Sequence, residues 1–102
     1  MSAPLACRLT PPEQSRRRVE LETQVFAAAL AIRELPDGWA ARFEGDEWLA
    51  RLAELIRFER GCCPFLHFAL RAEPGDGAIT LEITGPEGAK AFVAENLGLG
   101  VR

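Results

Sequence analysis

Residues 30–45 read LAIRELPDGWAARFEG, and this stretch contains a complete β-hairpin pattern. Two runs with alternating side chains, Leu30 to Leu35 and Trp39 to Phe43, flank the turn sequence Pro36-Asp37-Gly38. Apolar residues at every second position are typical of half-buried strands, and a Pro-Asp-Gly sequence is typical of a tight turn. The stretch therefore predicts two antiparallel strands joined by a short turn.

A second hairpin pattern lies further along the chain. Residues 65–72 and 78–84 alternate in the same way, and residues 74–77, Pro-Gly-Asp-Gly, separate them. The two hairpin segments match each other at an offset of about 39 to 40 residues. We interpret this match as an internal ββα duplication, with pseudo-repeats at about 30–60 and 66–98.

Helical patterns precede and follow the two hairpins. A capping box, Thr10-Pro11-Pro12-Glu13, predicts that a first helix spans about residues 11–27. A second helix should follow Gly45-Asp46 and end at Gly61 in a left-handed cap, and Thr84-Gly85-Pro86-Glu87 should cap a third. The apolar positions of the second and third helices recur at helical spacing: Trp48, Leu52, Leu55 and Ile56, then Ala89, Phe92, Val93 and Leu97.

The predicted order αββαββα indicates an α+β fold with a four-stranded antiparallel sheet and helices on one face. The covered face should carry Leu66, Phe68, Leu70, Ile79, Leu81 and Ile83. The opposite face should be polar and should carry Arg42, Glu44, His67, Arg71, Thr80 and Glu82.

Composition narrows the class of protein. The chain has 102 residues, 48% hydrophobic and 26% charged, which predicts a single domain over residues 1–102. A net charge of −3 argues against nucleic acid as a partner, and Arg16-Arg17-Arg18 is more typical of a solvated helix face. Without a leader pattern or an apolar run of membrane-spanning length, we expect a cytoplasmic protein that does not bind membranes. The exposed sheet and its two edges suit a homodimer or another protein partner.

Two adjacent cysteines, Cys62 and Cys63, lie where the second helix should end. Three cysteines and no secretion signal favour reduced thiols over a disulfide framework. Pro64 biases Cys63 toward an extended backbone, so the two side chains should point in different directions, with one of them packed inward. Neighbouring thiolates suit soft ions, namely zinc, copper(I), mercury or arsenic species.

A metal site would need further ligands, for which Cys7, Glu59 and His67 are the candidates. The segment that contains Cys7 precedes the first helix and could return to this corner. An extended strand would put His67 about 13 Å from Cys63, which is too far for a shared ion without a bend. Both adjacent cysteines could instead be small buried residues that only pack.

Glu59 follows Leu52, Leu55 and Ile56 at helical spacing, so it should point along the buried side of the second helix. A buried carboxylate needs a partner, which Arg17 or Arg18 could supply. Either this pair is structural, or Glu59 and an arginine support the thiol site from its surroundings.

The chain resembles a family of short, uncharacterised bacterial proteins with a Cys-Cys-Pro-Phe motif, some of which are associated with heavy-metal resistance regulators. The resemblance rests on Cys7-Arg8-Leu9-Thr10, on Glu59 with Cys62-Cys63-Pro64-Phe65, and on residues 83–88. It implies that Cys7, Cys62 and Cys63 belong to one site.

The leading hypothesis is a small module that binds or senses a soft metal or metalloid ion through Cys7, Cys62 and Cys63. One alternative is a thiol-redox protein that uses Cys62 or Cys63, and another is an interaction or dimerisation module with structural cysteines. Nucleophile-elbow, phosphate-loop and zinc-helix motifs are missing from the sequence, which favours a binding function and assigns no catalytic residue.

Overall fold

The computed structural model describes residues 8–75 and 77–99 of the chain. Within them, three α-helices and a four-stranded antiparallel sheet follow one another in the order αββαββα, which confirms the predicted α+β fold. The elements are α1 (Pro11–Gln24), a 3₁₀ helix (Phe26–Ala28), β1 (Ala31–Leu35), β2 (Gly38–Phe43), α2 (Glu47–Cys62), β3 (His67–Ala72), β4 (Ile79–Thr84) and α3 (Ala89–Asn96).

Helix α1 begins at the predicted capping box. The Thr10 hydroxyl accepts the Glu13 N–H at 3.4 Å, and the Glu13 carboxylate accepts the Thr10 N–H at 2.9 Å. The helix ends at Gln24, earlier than the predicted residue 27, because Val25 leaves the helical conformation with φ −121°. The 3₁₀ turn that follows buries Phe26 in the core.

The predicted end of α2 was wrong. The helix continues through Gly61 to Cys62, and Gly61 does not have a positive φ. Because Pro64 crowds the helical conformation of the residue before it, the chain leaves the helix at Cys63, with φ −124° and ψ 77°. Cys62 is therefore the last helical residue, and Cys63 begins the connection to β3.

The predicted cap of α3 was wrong as well. Thr84 is the last residue of β4, and α3 starts only at Ala89 without a side-chain cap. The residue before the helix, Gly88, has φ 91°, a left-handed conformation that glycine adopts without steric cost. Pairing of β4 with its neighbours therefore keeps Thr84 in the strand, and Thr84 does not cap α3 as its sequence context had suggested.

Strand pairing places the apolar residues on one face of the sheet. The strand order is β1-β2-β4-β3, and Leu81 of β4 lies opposite both Ala41 of β2 and Leu70 of β3. Helices α2 and α3 pack against this face, as predicted. The other face, which no described helix covers, carries Arg33, Arg42, His67, Arg71, Thr80 and Glu82.

Aromatic residues fix the helices to the sheet. The rings of Phe43 and Trp48 stack with centroids 4.5 Å apart, which joins β2 to the start of α2. The Trp39 indole donates a hydrogen bond of 2.9 Å to the carbonyl of Lys90 in α3.

Among the described residues, no helix is long and apolar enough to cross a bilayer. The internal duplication stays a prediction. The second strands of the two hairpins, β2 and β4, are neighbours at the sheet centre.

Candidate functional site

Four of the residues singled out by the sequence, Arg17, Glu59, Cys62 and Cys63, lie where α2 ends. We call this place the thiol corner, and define it as Arg8, Arg17, Glu59, Cys62 and Cys63. Glu59, Cys62 and Cys63 come from α2 and the residue after it, whereas Arg17 comes from the middle of α1. Helix α1 therefore lies against the C-terminal part of α2 at this point.

The two cysteines have different surroundings. Cys63 is completely buried and belongs to the hydrophobic core, whereas Cys62 is half-buried. The expectation that one thiol packs inward is confirmed. The difference arises because the chain leaves the helix between the two residues, so that their side chains no longer follow one helical spacing.

Glu59 is the central polar group of the corner. Its side chain is only 1% exposed, and Oε1 accepts a hydrogen bond of 2.7 Å from Arg17 Nε. Its other oxygen, Oε2, lies 3.9 Å from the Cys63 thiol, which donates to it. The prediction that Glu59 is buried and paired with an arginine is confirmed, and the partner is Arg17. Arg18 instead pairs with Glu22 on the surface of α1.

Arg17 is itself held in place on two sides. Its Nη1 bonds Glu20 at 2.5 Å, one turn further along α1, and its guanidinium lies 4.3 Å from the centre of the Phe58 ring. A guanidinium stacked on a ring and bonded to carboxylates has few rotamers left, so it keeps its orientation toward Glu59.

Burial and pairing act on the Glu59 carboxyl in opposite directions. Removal from water raises its pKa above the ordinary value, and the hydrogen bond and positive charge of Arg17 lower it by less. The Glu20 carboxylate adds to the increase, and the Cys63 thiol opposes it. Desolvation therefore prevails, and the folded protein binds the Glu59 proton more tightly than the unfolded chain does.

A small cavity lies beside the buried thiol. It has a volume of about 10 Å³, and its walls include Arg17, Glu59 and Cys63. This is about the smallest space that holds one water molecule. The inner side of the corner consequently has room for a water or an ion but not for an organic substrate.

The chain segment before α1 reaches the same corner. The backbone N–H of Arg8 donates a hydrogen bond of 2.8 Å to the carbonyl of Cys62. Cys7, the predicted third ligand, lies outside the described residues. Within the described part of the chain, there is no group of three or more histidine, cysteine or acidic side chains that could hold a metal ion.

His67 is not part of the thiol corner. It is exposed at the start of β3, where it lines a surface groove together with Arg60 and Pro64.

Sequence reasoning missed two members of the thiol corner and its surroundings, Arg8 and Phe58. Arg8 contributes its backbone, which no residue pattern reveals, and Phe58 precedes Glu59 on a half-exposed part of the helix.

The pKa of Glu59 predicts a pH dependence for the metal-free protein with reduced thiols. A raised pKa in the folded state adds stability that is complete below the unfolded value of about 4.3 and is lost as the pH rises through the folded pKa. The native protein should therefore lose stability relative to Glu59→Gln as the pH rises above about 4. Urea unfolding at a series of pH values measures this difference.

A matched control is Glu54→Gln, because Glu54 lies on the same helix but is 70% exposed. Its stability difference from the native protein should change far less over the same pH range. A difference between native protein and Glu59→Gln that stays constant, or that grows in favour of the native protein as the pH rises, would contradict the prediction.

Comparisons of this chain with protein-family models, with curated proteins and with solved structures found no match.

Proposed function

We propose that the protein is a small binding or sensing module that holds a soft metal or metalloid ion through the thiolates of Cys7, Cys62 and Cys63. The observation that supports this proposal most directly is the hydrogen bond from the Arg8 N–H to the Cys62 carbonyl. Arg8 follows Cys7 in the sequence, and the bond ties this part of the chain to the pair of adjacent cysteines.

The chemistry of the described donors favours a soft ion. Glu59 is the only buried carboxylate among the described residues, and Arg17 and Cys63 already occupy its two oxygens. Neither oxygen of Glu59 is therefore left for an ion, and the proposal assigns the ion to sulfur atoms. Thiolates prefer zinc, copper(I), mercury and arsenic species to hard cations such as magnesium or calcium.

The charge of the corner also suits a cation. Arg17 pairs with the Glu59 carboxylate, and a thiolate formed at Cys63 would lie beside that carboxylate. A thiolate beside the Glu59 carboxylate therefore gains from a positive ion bound to its sulfur. Ion binding releases the thiol protons, so the affinity should rise with pH.

Native mass spectrometry of the reduced full chain tests the proposal. The protein is incubated separately with zinc, copper(I), mercury(II) and arsenite. We expect one ion per chain for at least one of the four. A metal ion should add its own mass less that of the protons it displaces, whereas arsenite should add one arsenic atom less three thiol hydrogens, because its oxygens leave as water. Cys7→Ser, Cys62→Ser and Cys63→Ser should each weaken or abolish binding of that ion.

Two controls make the result specific. Thermal unfolding without added ion reports whether each serine variant still folds, which matters most for the buried Cys63. Arg18→Ala, a surface change on α1, should leave ion binding unaltered. Unchanged mass with all four ions, while a thiol assay shows reduced cysteines, would overturn the proposal. Full binding by Cys7→Ser would remove Cys7 from the site.

A further inference from the structure

Strand β3 forms one edge of the sheet. It pairs with β4 on one side, and within residues 8–75 and 77–99 no strand pairs with its other side. The outer backbone groups of an edge strand can bond an added strand from another polypeptide. Such an addition gives affinity through the backbone and specificity through the alternating side chains.

A groove with both apolar and basic side chains in its walls runs beside this edge. It lies between β3 and the C-terminal part of α2, has a volume of about 480 Å³, and has Ile56, Leu66 and Phe68 in its walls. Leu66 is buried, and Ile56 and Phe68 are half-buried, so the groove offers apolar surface that is still within reach of a ligand. Its volume is in the range that accepts a few side chains or a small ligand.

Two arginines lie at this edge of a protein that is acidic as a whole. Arg60 and His67 line the groove, and Arg71 is exposed on β3. In the described part of the chain neither Arg60 nor Arg71 forms an ion pair, although the net charge of the sequence is −3. These charges therefore remain available for carboxylates of a partner.

We propose that β3 and the adjoining groove bind an extended, acidic polypeptide segment, which adds to the sheet as a fifth strand. Alternate apolar side chains of the segment enter the groove against Ile56 and Phe68, and the carboxylates between them, on the other face of the added strand, meet Arg71. This proposal goes beyond ion binding and does not depend on it, since it uses none of the cysteine thiols.

The charge distribution separates this partner from the other possible occupants. A second copy of the chain would bring one basic β3 edge against another, which like charges oppose. A small carboxylate could reach Arg60, but it would leave the outer backbone groups of β3 without a strand partner. An acidic extended segment can bond the outer backbone groups of β3, fill the groove with apolar side chains and pair its carboxylates with arginine.

The test uses a synthetic octapeptide of alternating glutamate and valine, titrated into the isotopically labelled full chain. Amide chemical shifts should move in a saturable way, with the largest changes in residues 67–72. Reversing the charge in Arg71→Glu should weaken binding about tenfold or more, and Arg60→Glu, on the α2 side of the sheet, should weaken it less. Arg57→Glu, at an 81% exposed position that already pairs with Glu54, should change the affinity less than about twofold.

Two further peptides and a sizing measurement complete the test. A lysine-valine octapeptide and a glutamate-valine octapeptide with N-methylated backbone should both bind much more weakly. Equal binding of either peptide, or unmoved amides in β3 at millimolar peptide, would overturn the proposal. A concentration-dependent dimer whose β3 amides shift on dilution would also overturn it, because a second copy would then occupy the edge. Far-UV circular dichroism confirms that each charge variant is folded.

Discussion

Replacing Arg17 with methionine is expected to destabilise the protein by about 3–5 kcal/mol at neutral pH, because the change leaves an unpaired charge in the interior. Glu59 is 1% exposed, and the 2.7 Å bond to Arg17 Nε is its only ion pair among the described residues. The methionine keeps most of the apolar stem of Arg17, so packing against α2 is partly retained, whereas the contact of the guanidinium with the Phe58 ring is lost. Equilibrium unfolding in urea measures the loss.

The penalty should shrink as the pH is lowered toward about 4, since a protonated Glu59 no longer needs a cation. The double variant Arg17→Met/Glu59→Met should recover most of the stability, because it replaces a buried ion pair by apolar side chains of similar volume. Arg18→Met is the matched control: Arg18 and Glu22 form an exposed pair, and its loss should cost less than about 1 kcal/mol. A loss for Arg17→Met that is no larger than for Arg18→Met would contradict the buried pair.

Gly38→Ala is expected to destabilise the protein by about 3 kcal/mol, the upper part of the usual range for overpacking. A Cβ atom at Gly38 would lie 1.9 Å from the carbonyl oxygen of Ile83. This oxygen belongs to the backbone of β4, so relief requires a shift between the two central strands of the sheet. Thermal and urea unfolding should both report the loss, with native-like secondary structure in the remaining folded protein.

The matched control for this change is Gly61→Ala. A Cβ atom at Gly61 would meet nothing within 4 Å, and the residue is helical without a positive φ. Alanine there should stabilise the protein by about 0.5 kcal/mol, because it reduces the conformational freedom of the unfolded chain. Replacing glycine with alanine is thus expected to lower the free energy of unfolding at Gly38 and to raise it at Gly61. A loss at Gly61 comparable with that at Gly38 would contradict both the packing of β2 on β4 and the helical conformation of Gly61.

The fold was largely predictable because its signals are local. Alternating residues such as Ile79, Leu81 and Ile83 specify a strand and its buried face, and the turn sequences between the strands specify hairpins. The errors concern helix ends. Gly61 and Thr84 are residue types that favour caps, but the crowding before Pro64 and the pairing of β4 determined where the elements end.

The candidate site was predictable in part. Helical spacing placed Glu59 on the buried side of α2, and the cost of a buried charge required a cation. Arg17 and Arg18 are adjacent in the sequence and equally able to pair. Only the packing of α1 on α2 turned Arg17 inward and left Arg18 with Glu22 at the surface.

The sequence by itself determined the elements, their order and which face of the sheet is covered, since these depend on side-chain periodicity within short segments. The tertiary structure decided the partner of Glu59, which of the two adjacent cysteines is buried, and the contact of Arg8 with the end of α2. Each of these depends on contacts between parts of the chain that are distant in sequence. The physical reason is that such contacts depend on how whole helices pack, which no local pattern of residues encodes.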